Sequence, residues 1–212
     1  MSKSKAAAAA LISLTLLGCT REGTVVPTGV ISRYTACPPV AIVAPTGDVT
    51  LFDPPSSRDA SAIDVVATMT NVRSSCDESS EYIVTAATFE VQARRRDNRG
   101  ARTVVLPYFA TVVQAGTNAV AKNVSRVALQ FADGEYVARS AGSATSQLLR
   151  SSATLPEDVL RQITRERQPG DADAAVDPMS DPAVRAAVQR ASFELLLGFE
   201  LTEDQLRYNA TR

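Results

Sequence analysis

The sequence predicts a mainly β fold, an antiparallel β-sandwich with a few helices toward the C-terminus. Three observations predict it. Apolar residues alternate with period two in successive runs before residue 140, Asp, Asn and Gly residues that favour turns separate those runs, and helical spacing dominates only after Pro156.

The folded body is expected to begin at Cys37-Pro38-Pro39, where the prolines fix an extended backbone that leads into the apolar run Val40 to Val43. Ala62 to Asn71 places Ile63, Val65, Ala67 and Met69 on one face, which makes a half-buried strand. Tyr82 to Ala93 repeats the pattern with Ile83, Phe89, Val91 and Ala93. Asp97-Asn98-Arg99-Gly100 tolerates positive φ, so a hairpin is expected between that strand and the next, Thr103 to Gln114. Pro107 lies inside the latter run and predicts an edge position or a bulge, because it has no N–H for a ladder. Asn118 to Ala132 is a further strand region ending at Asp133-Gly134, and Tyr136 to Ser140 another. An immunoglobulin-like or similar topology accommodates this set.

The C-terminal third is mixed. Leu155-Pro156-Glu157 opens a helix to about Arg167, with acids early and arginines late as the helix dipole favours. Gln168 to Ser180 reads as a loop. Asp181-Pro182 is an N-cap and N1 pair, followed by Val184, Val188 and Ala191 at helical spacing. From Ser192 to Leu201 the period changes to two, which predicts a strand in a central position, with continuation of the preceding helix as the alternative. Thr202-Glu203-Asp204-Gln205 has the pattern of a capping box that starts a last helical turn.

The N-terminus carries a different signal. Lys3 and Lys5 precede an apolar run of twelve residues, Ala6 to Leu17. That run is short of the roughly 20 residues a membrane-spanning helix needs, so it reads as a removable signal peptide. Leu16-Leu17-Gly18-Cys19 resembles the lipobox of bacterial lipoproteins. The resemblance implies lipidation of Cys19, cleavage before it and acylation of the new amine. Thr20 and Arg21 follow the cysteine in place of Asp, which in that family implies the outer membrane, on its periplasmic face. The expected organisation is a signal peptide over 1–18, a tether over 19–36 and one β-rich periplasmic domain over 37–212.

Processing at that point would leave 194 residues with 20 basic against 23 acidic side chains, a balance that gives no support to a nucleic-acid partner. Histidine and tryptophan are both absent, and Lys122 is the only lysine beyond the signal peptide. Without histidine there is no Ser-His-Asp triad, no Cys-His pair and no imidazole metal ligand. The acids lie in polar turn-like stretches, without the aromatic setting that paired catalytic carboxylates favour. A non-enzymatic protein is therefore expected, with no cofactor and no metal.

Once Cys19 is lipidated, Cys37 and Cys76 remain. A structural disulfide is the expectation in an oxidising compartment; buried free thiols or a reactive pair are the alternatives, the last without CxxC spacing. The densest charged feature is Arg94-Arg95-Arg96 with Arg99 and Arg102. These five guanidinium groups are candidates for contact with an anionic ligand or a partner protein, against the plainer reading of a solvated hairpin tip that blocks edge aggregation. Asp171, Asp173 and Asp177 match a calcium loop poorly, lacking its Gly and its bidentate Glu. Asn123 and Asn209 fit glycosylation sequons that carry no weight in a bacterial setting, and Tyr108, Phe109 and Phe131 are expected in packing roles. The leading expectation is a lipid-anchored envelope protein that docks or assembles with another protein. The alternative is a carrier or receptor for an apolar or anionic envelope ligand, which requires an internal cavity.

Overall fold

The computed structural model describes residues 35–211. Its strands are β1 (Val40–Ile42), β2 (Asp48–Phe52), β3 (Ile63–Asp77), β4 (Tyr82–Arg95), β5 (Arg102–Gln114), β6 (Asn118–Phe131), β7 (Val137–Leu149) and β8 (Phe193–Phe199). Helices α1 (Glu157–Thr164) and α2 (Pro182–Ala191) precede β8, and α3 (Glu203–Thr211) follows it. The strands form two four-stranded sheets packed face to face, in the orders β1-β8-β5-β6 and β2-β3-β4-β7. Every pairing is antiparallel except that of β1 with β8. The sandwich expectation therefore holds, with one parallel neighbour that the sequence pattern does not signal.

The alternation read in the sequence becomes the interior. Val65, Ile83, Phe89, Val91, Leu129, Phe131, Leu195, Leu197 and Phe199 from both sheets are almost wholly excluded from solvent and belong to one contiguous cluster. Each such aliphatic or aromatic side chain contributes about 1.5–3 kcal/mol on burial. Tyr108 joins the sheets: its ring meets Phe89 edge-on at 4.9 Å, and its hydroxyl donates to the Ser143 carbonyl at 2.8 Å. Tyr108 and Phe131 thus have packing roles, and Phe109, half-buried, supports the outer face under Lys122.

Phe89 needs a neighbour without a side chain. It pairs with Gly142 on β7, where a Cβ would lie 2.3 Å from the ring tip. Because Tyr108 holds the ring from the other side, Gly142→Ala is expected to cost about 1–3 kcal/mol through overpacking. A lower urea midpoint at unchanged m-value would show it; an unchanged midpoint would mean that the ring has room to move.

Four features of the strands differ from the sequence expectations, each for a physical reason. The strand expected to stop at Asn71 continues to Asp77, because Asn71 adopts φ 51° in a bulge and its amide donates to Glu90 at 2.8 Å. The strand expected over Tyr136 to Ser140 runs to Leu149, its small Ser, Gly, Ala and Thr residues held in register by β4. The β4 to β5 connection is not a hairpin: Arg95 pairs with Val65 in one sheet and Arg102 with Phe131 in the other, so residues 96–101 cross between sheets. Finally, β5 is an interior strand, not an edge. Pro107 is tolerated because its carbonyl accepts from Glu200 N–H just beyond the end of β8, so the donor it lacks would have faced a strand that has already ended.

The β5 to β6 hairpin turns through Ala115 at φ 55° and Gly116 at φ 76°, the two consecutive positive values of a type I′ turn. Only Gly116 suits this. Ala115→Gly is expected to stabilise the protein by about 0.5–1 kcal/mol by removing a left-handed alanine, the entropy of the added glycine offsetting part of the gain. Thermal unfolding provides the measurement, and a fall in midpoint would contradict it.

The C-terminal elements follow their caps. Asp181 accepts from Ala183 N–H with Pro182 at the first helical position of α2. Thr202 and Gln205 make the reciprocal capping-box bonds at 3.3 and 2.9 Å. The first of the three helices ends at Thr164, short of Arg167, and packs on α2 through a small separate cluster of Leu155, Val159, Val184, Ala187 and Ala191. β8 is a strand between β1 and β5, in the central place its alternation predicts.

Candidate functional site: the arginine pole

Two crossings between the sheets, residues 96–101 and 132–136, meet at one end of the sandwich, and Arg95 holds them together. Arg95 continues the inward-facing series Phe89, Val91, Ala93 on β4 and is only 2% exposed. Its guanidinium donates to four backbone carbonyls: Nε to Glu135 at 2.8 Å, Nη1 to Gly100 at 2.8 Å, and Nη2 to Asn98 at 2.7 Å and Ala132 at 2.8 Å. Its Cζ lies over the Phe131 ring, 5.2 Å from the centroid. A planar fork with five donors suits this task, since one lysine ammonium cannot reach four diverging carbonyls. The two crossings also bond directly: Gly134 N–H donates to the Asn98 carbonyl, the Asn98 amide to the Gly134 carbonyl, and Gly100 N–H to the Asp133 carboxylate.

The five arginines singled out in the sequence therefore do not form one cationic patch. Arg95 is turned inward with four of its five donors on carbonyls, which removes it from any surface for anions. Arg99 closes on Asp97 at 2.7 Å, and its side chain, then its own backbone N–H, hold the Asp97 carboxyl well below the usual carboxylate range. Arg102 makes a two-pronged pair with Asp64, at 2.8 and 2.6 Å. Arg94 and Arg96 remain as exposed cations, Arg94 standing 6.0 Å from the ring centroid of Tyr136, which is itself 44% exposed. A cleft of about 410 Å³ opens beside them, bounded by Asp53, Asp64, Arg96, Arg99 and Tyr136. Its chemistry is that of recognition: guanidinium groups, carboxylates and one aromatic face.

The other sequence candidates lie elsewhere. Cys37 and Cys76 are bonded to each other, with Cα atoms 6.1 Å apart, and join the start of the first sheet to the end of β3 in the second. Cys19 lies outside the described residues. Asp171 and Asp173 pair with Arg165, and Asp177 caps the short turn at Pro178–Ser180, so the acidic loop is held by arginines and backbone N–H groups. No group of three metal-ligating side chains occurs among the described residues. Asn209 is buried and donates to the carbonyls of Pro45 and Asp48, which gives its sequon a structural use; Asn123 is exposed on β6. No helix among the described residues is long and apolar enough to cross a membrane. No family model, no curated protein and no solved structure matches this chain.

Proposed function

We propose that the protein is a lipid-anchored envelope protein, attached through Cys19 to the periplasmic face of the outer membrane, that acts as a non-enzymatic docking or assembly module with its arginine pole as the contact surface. One observation carries this reading. Cys37, which leads into β1, is bridged to Cys76, and the bridge and the arginine pole lie at opposite ends of β4, about 33 Å apart along an extended strand. A tether from a membrane would lead into the bridge end and leave Arg94, Arg96 and Tyr136 facing away from the lipid. The disulfide suits an oxidising compartment. The carrier reading has less support, because the buried residues of both sheets belong to one contiguous cluster and the cleft at the pole opens to the surface.

A photo-crosslinking residue at Arg96 is expected to capture one abundant envelope protein in intact cells, while the same residue at Tyr82, at the other end of β4, captures none. Palmitate labelling is expected to disappear in Cys19→Ser. Equal capture from both positions, or none from either, would overturn the pole as the contact surface; persistent labelling of Cys19→Ser would overturn the anchor.

A further inference from the structure

β6 forms one edge of the first sheet, and its first nine residues, Asn118 to Arg126, are exposed on both faces. The direction of its unpaired backbone groups follows from the ladder. The Pro107 carbonyl accepts from Glu200, so Pro107, Phe109 and Thr111 direct their backbone groups toward β8, and Tyr108 and Ala110 direct theirs toward Ser125 and Asn123 of β6. By alternation, Lys122, Val124 and Arg126 point their N–H and C=O groups away from β5, along the open edge, and the alternation ends at Val120, the extra residue of a bulge opposite Val112 and Val113. An edge of this kind is a template for another strand unless something guards it. The usual guards are proline, which β6 lacks, a bulge, which in β6 lies at its start by Val120, and an outward lysine. Lys122 is that lysine, yet it is bent back over β5, where its Nζ lies 2.8 Å from Glu200 and 5.2 Å from the Phe109 ring centroid. On either side of it Val120 and Val124 are 46% and 57% exposed, and the inward positions Ala121, Asn123 and Ser125 are small and uncovered.

We propose that residues 121–126 are a strand-addition site for an extended acidic segment of a partner protein. Charge selects the occupant: with Lys122 paired to Glu200, Arg126 on β6 and Arg139 on the neighbouring edge strand β7 are left as its cations, and neither strand carries a carboxylate. A second copy pairing through the same edge would bring a second Arg126 and Lys122 to this edge and no carboxylate beyond the Glu200 that each lysine already holds. Backbone bonds give such a site affinity, and the alternate side chains give it specificity. This surface is distinct from the arginine pole and does not depend on it.

The test uses the mature full-length protein in mild detergent, with two synthetic nine-residue probes: one alternating glutamate with valine, the other lysine with valine. The glutamate peptide is expected to slow amide exchange at Lys122, Val124 and Arg126 at least tenfold, less so at high salt, while the lysine peptide leaves it unchanged. Val124→Pro deletes an outward donor without touching the β5 ladder, so it is expected to abolish that protection at an unchanged unfolding midpoint. Val124→Glu, which alters only an exposed side chain, is expected to weaken the glutamate peptide tenfold. No protection by the glutamate peptide, equal protection by both peptides, or concentration-dependent dimers lost in Val124→Pro would each overturn the proposal.

Discussion

Replacing Arg95 with methionine is expected to destabilise the protein by about 3 kcal/mol or more, among the largest effects of any single change in the sandwich. Methionine can fill the space over Phe131, so the loss isolates the polar contribution. Four charge-assisted hydrogen bonds disappear together: the carbonyls of Gly100 and Glu135 must find water or remain unpaired, while those of Asn98 and Ala132 each keep one backbone donor, Gly134 N–H and Glu135 N–H. Lysine keeps the charge but lacks the fork, and Arg95→Lys is expected to recover less than half of the loss. Equilibrium urea unfolding gives the magnitude. Amide exchange at Gly134, whose N–H donates to Asn98, gives the location, because loosening is expected to begin where the crossings touch. A loss below about 1 kcal/mol would show that water replaces the guanidinium at little cost, and that the direct bonds between the crossings suffice.

The consequence for function lies in what this arginine leaves to its neighbours. Arg94 precedes it on β4 and is exposed by the same alternation that buries Arg95, and Arg96, just past the strand end, is exposed with its N–H on the Asp64 carbonyl, so one buried cation stands between two exposed ones. Charge reversal at Arg95 would therefore report on folding, whereas reversal at Arg96 would report on recognition.

The inward position of Arg95 was legible in principle. The odd-numbered series from Ile83 through Phe89, Val91 and Ala93 reaches Arg95 without a change of period. Composition hides it: a run of three arginines reads as a surface feature because arginine is seldom fully buried, and nothing local announces four carbonyls converging from residues 98 to 135. The same division runs through the fold. Strands with bulky alternation (the first part of β3, then β4, β5 and β8) can be read from residues alone, as can the caps at Asp181 and Thr202, because those signals are local. The second half of β7 cannot. Its Ser, Gly, Ala and Thr residues have weak strand preference, and they are strand because Phe89 needs Gly142 beside it. Asp48–Phe52 is too short to show a convincing period, and pairing with β3 makes it a strand. The crossing after β4 is equally non-local, since Asp97 to Gly100 would serve a hairpin as well as a change of sheet.

Removing the Cys37–Cys76 bridge is expected to cost about 4 kcal/mol, the chain-entropy value for a closed loop of roughly 40 residues. The bridge sits where the sandwich has least else to hold it. β2 stops pairing at Thr68, so the last five residues of β3, Arg73 to Asp77, are exposed and have β4 as their one strand neighbour. Cys37 leads into β1, a three-residue strand paired with β8. Each sheet thus ends in a weak element at this pole, and the bridge ties the two weak elements to each other. Cys37→Ala, Cys76→Ala and the double variant are expected to lose the same stability, because either single change removes the whole covalent link; that equality is the sharpest reading of the bond. Single losses that add up in the double variant would mean two independent thiols. Exchange at Val43, whose N–H donates to the Leu197 carbonyl, is expected to rise in all three variants while Val91 in the core changes little. On the anchored reading the same bond acquires a mechanical role. A pull from the tether would arrive at Cys37 and, with the bridge intact, pass directly into the fifteen-residue β3 without peeling β1 from β8.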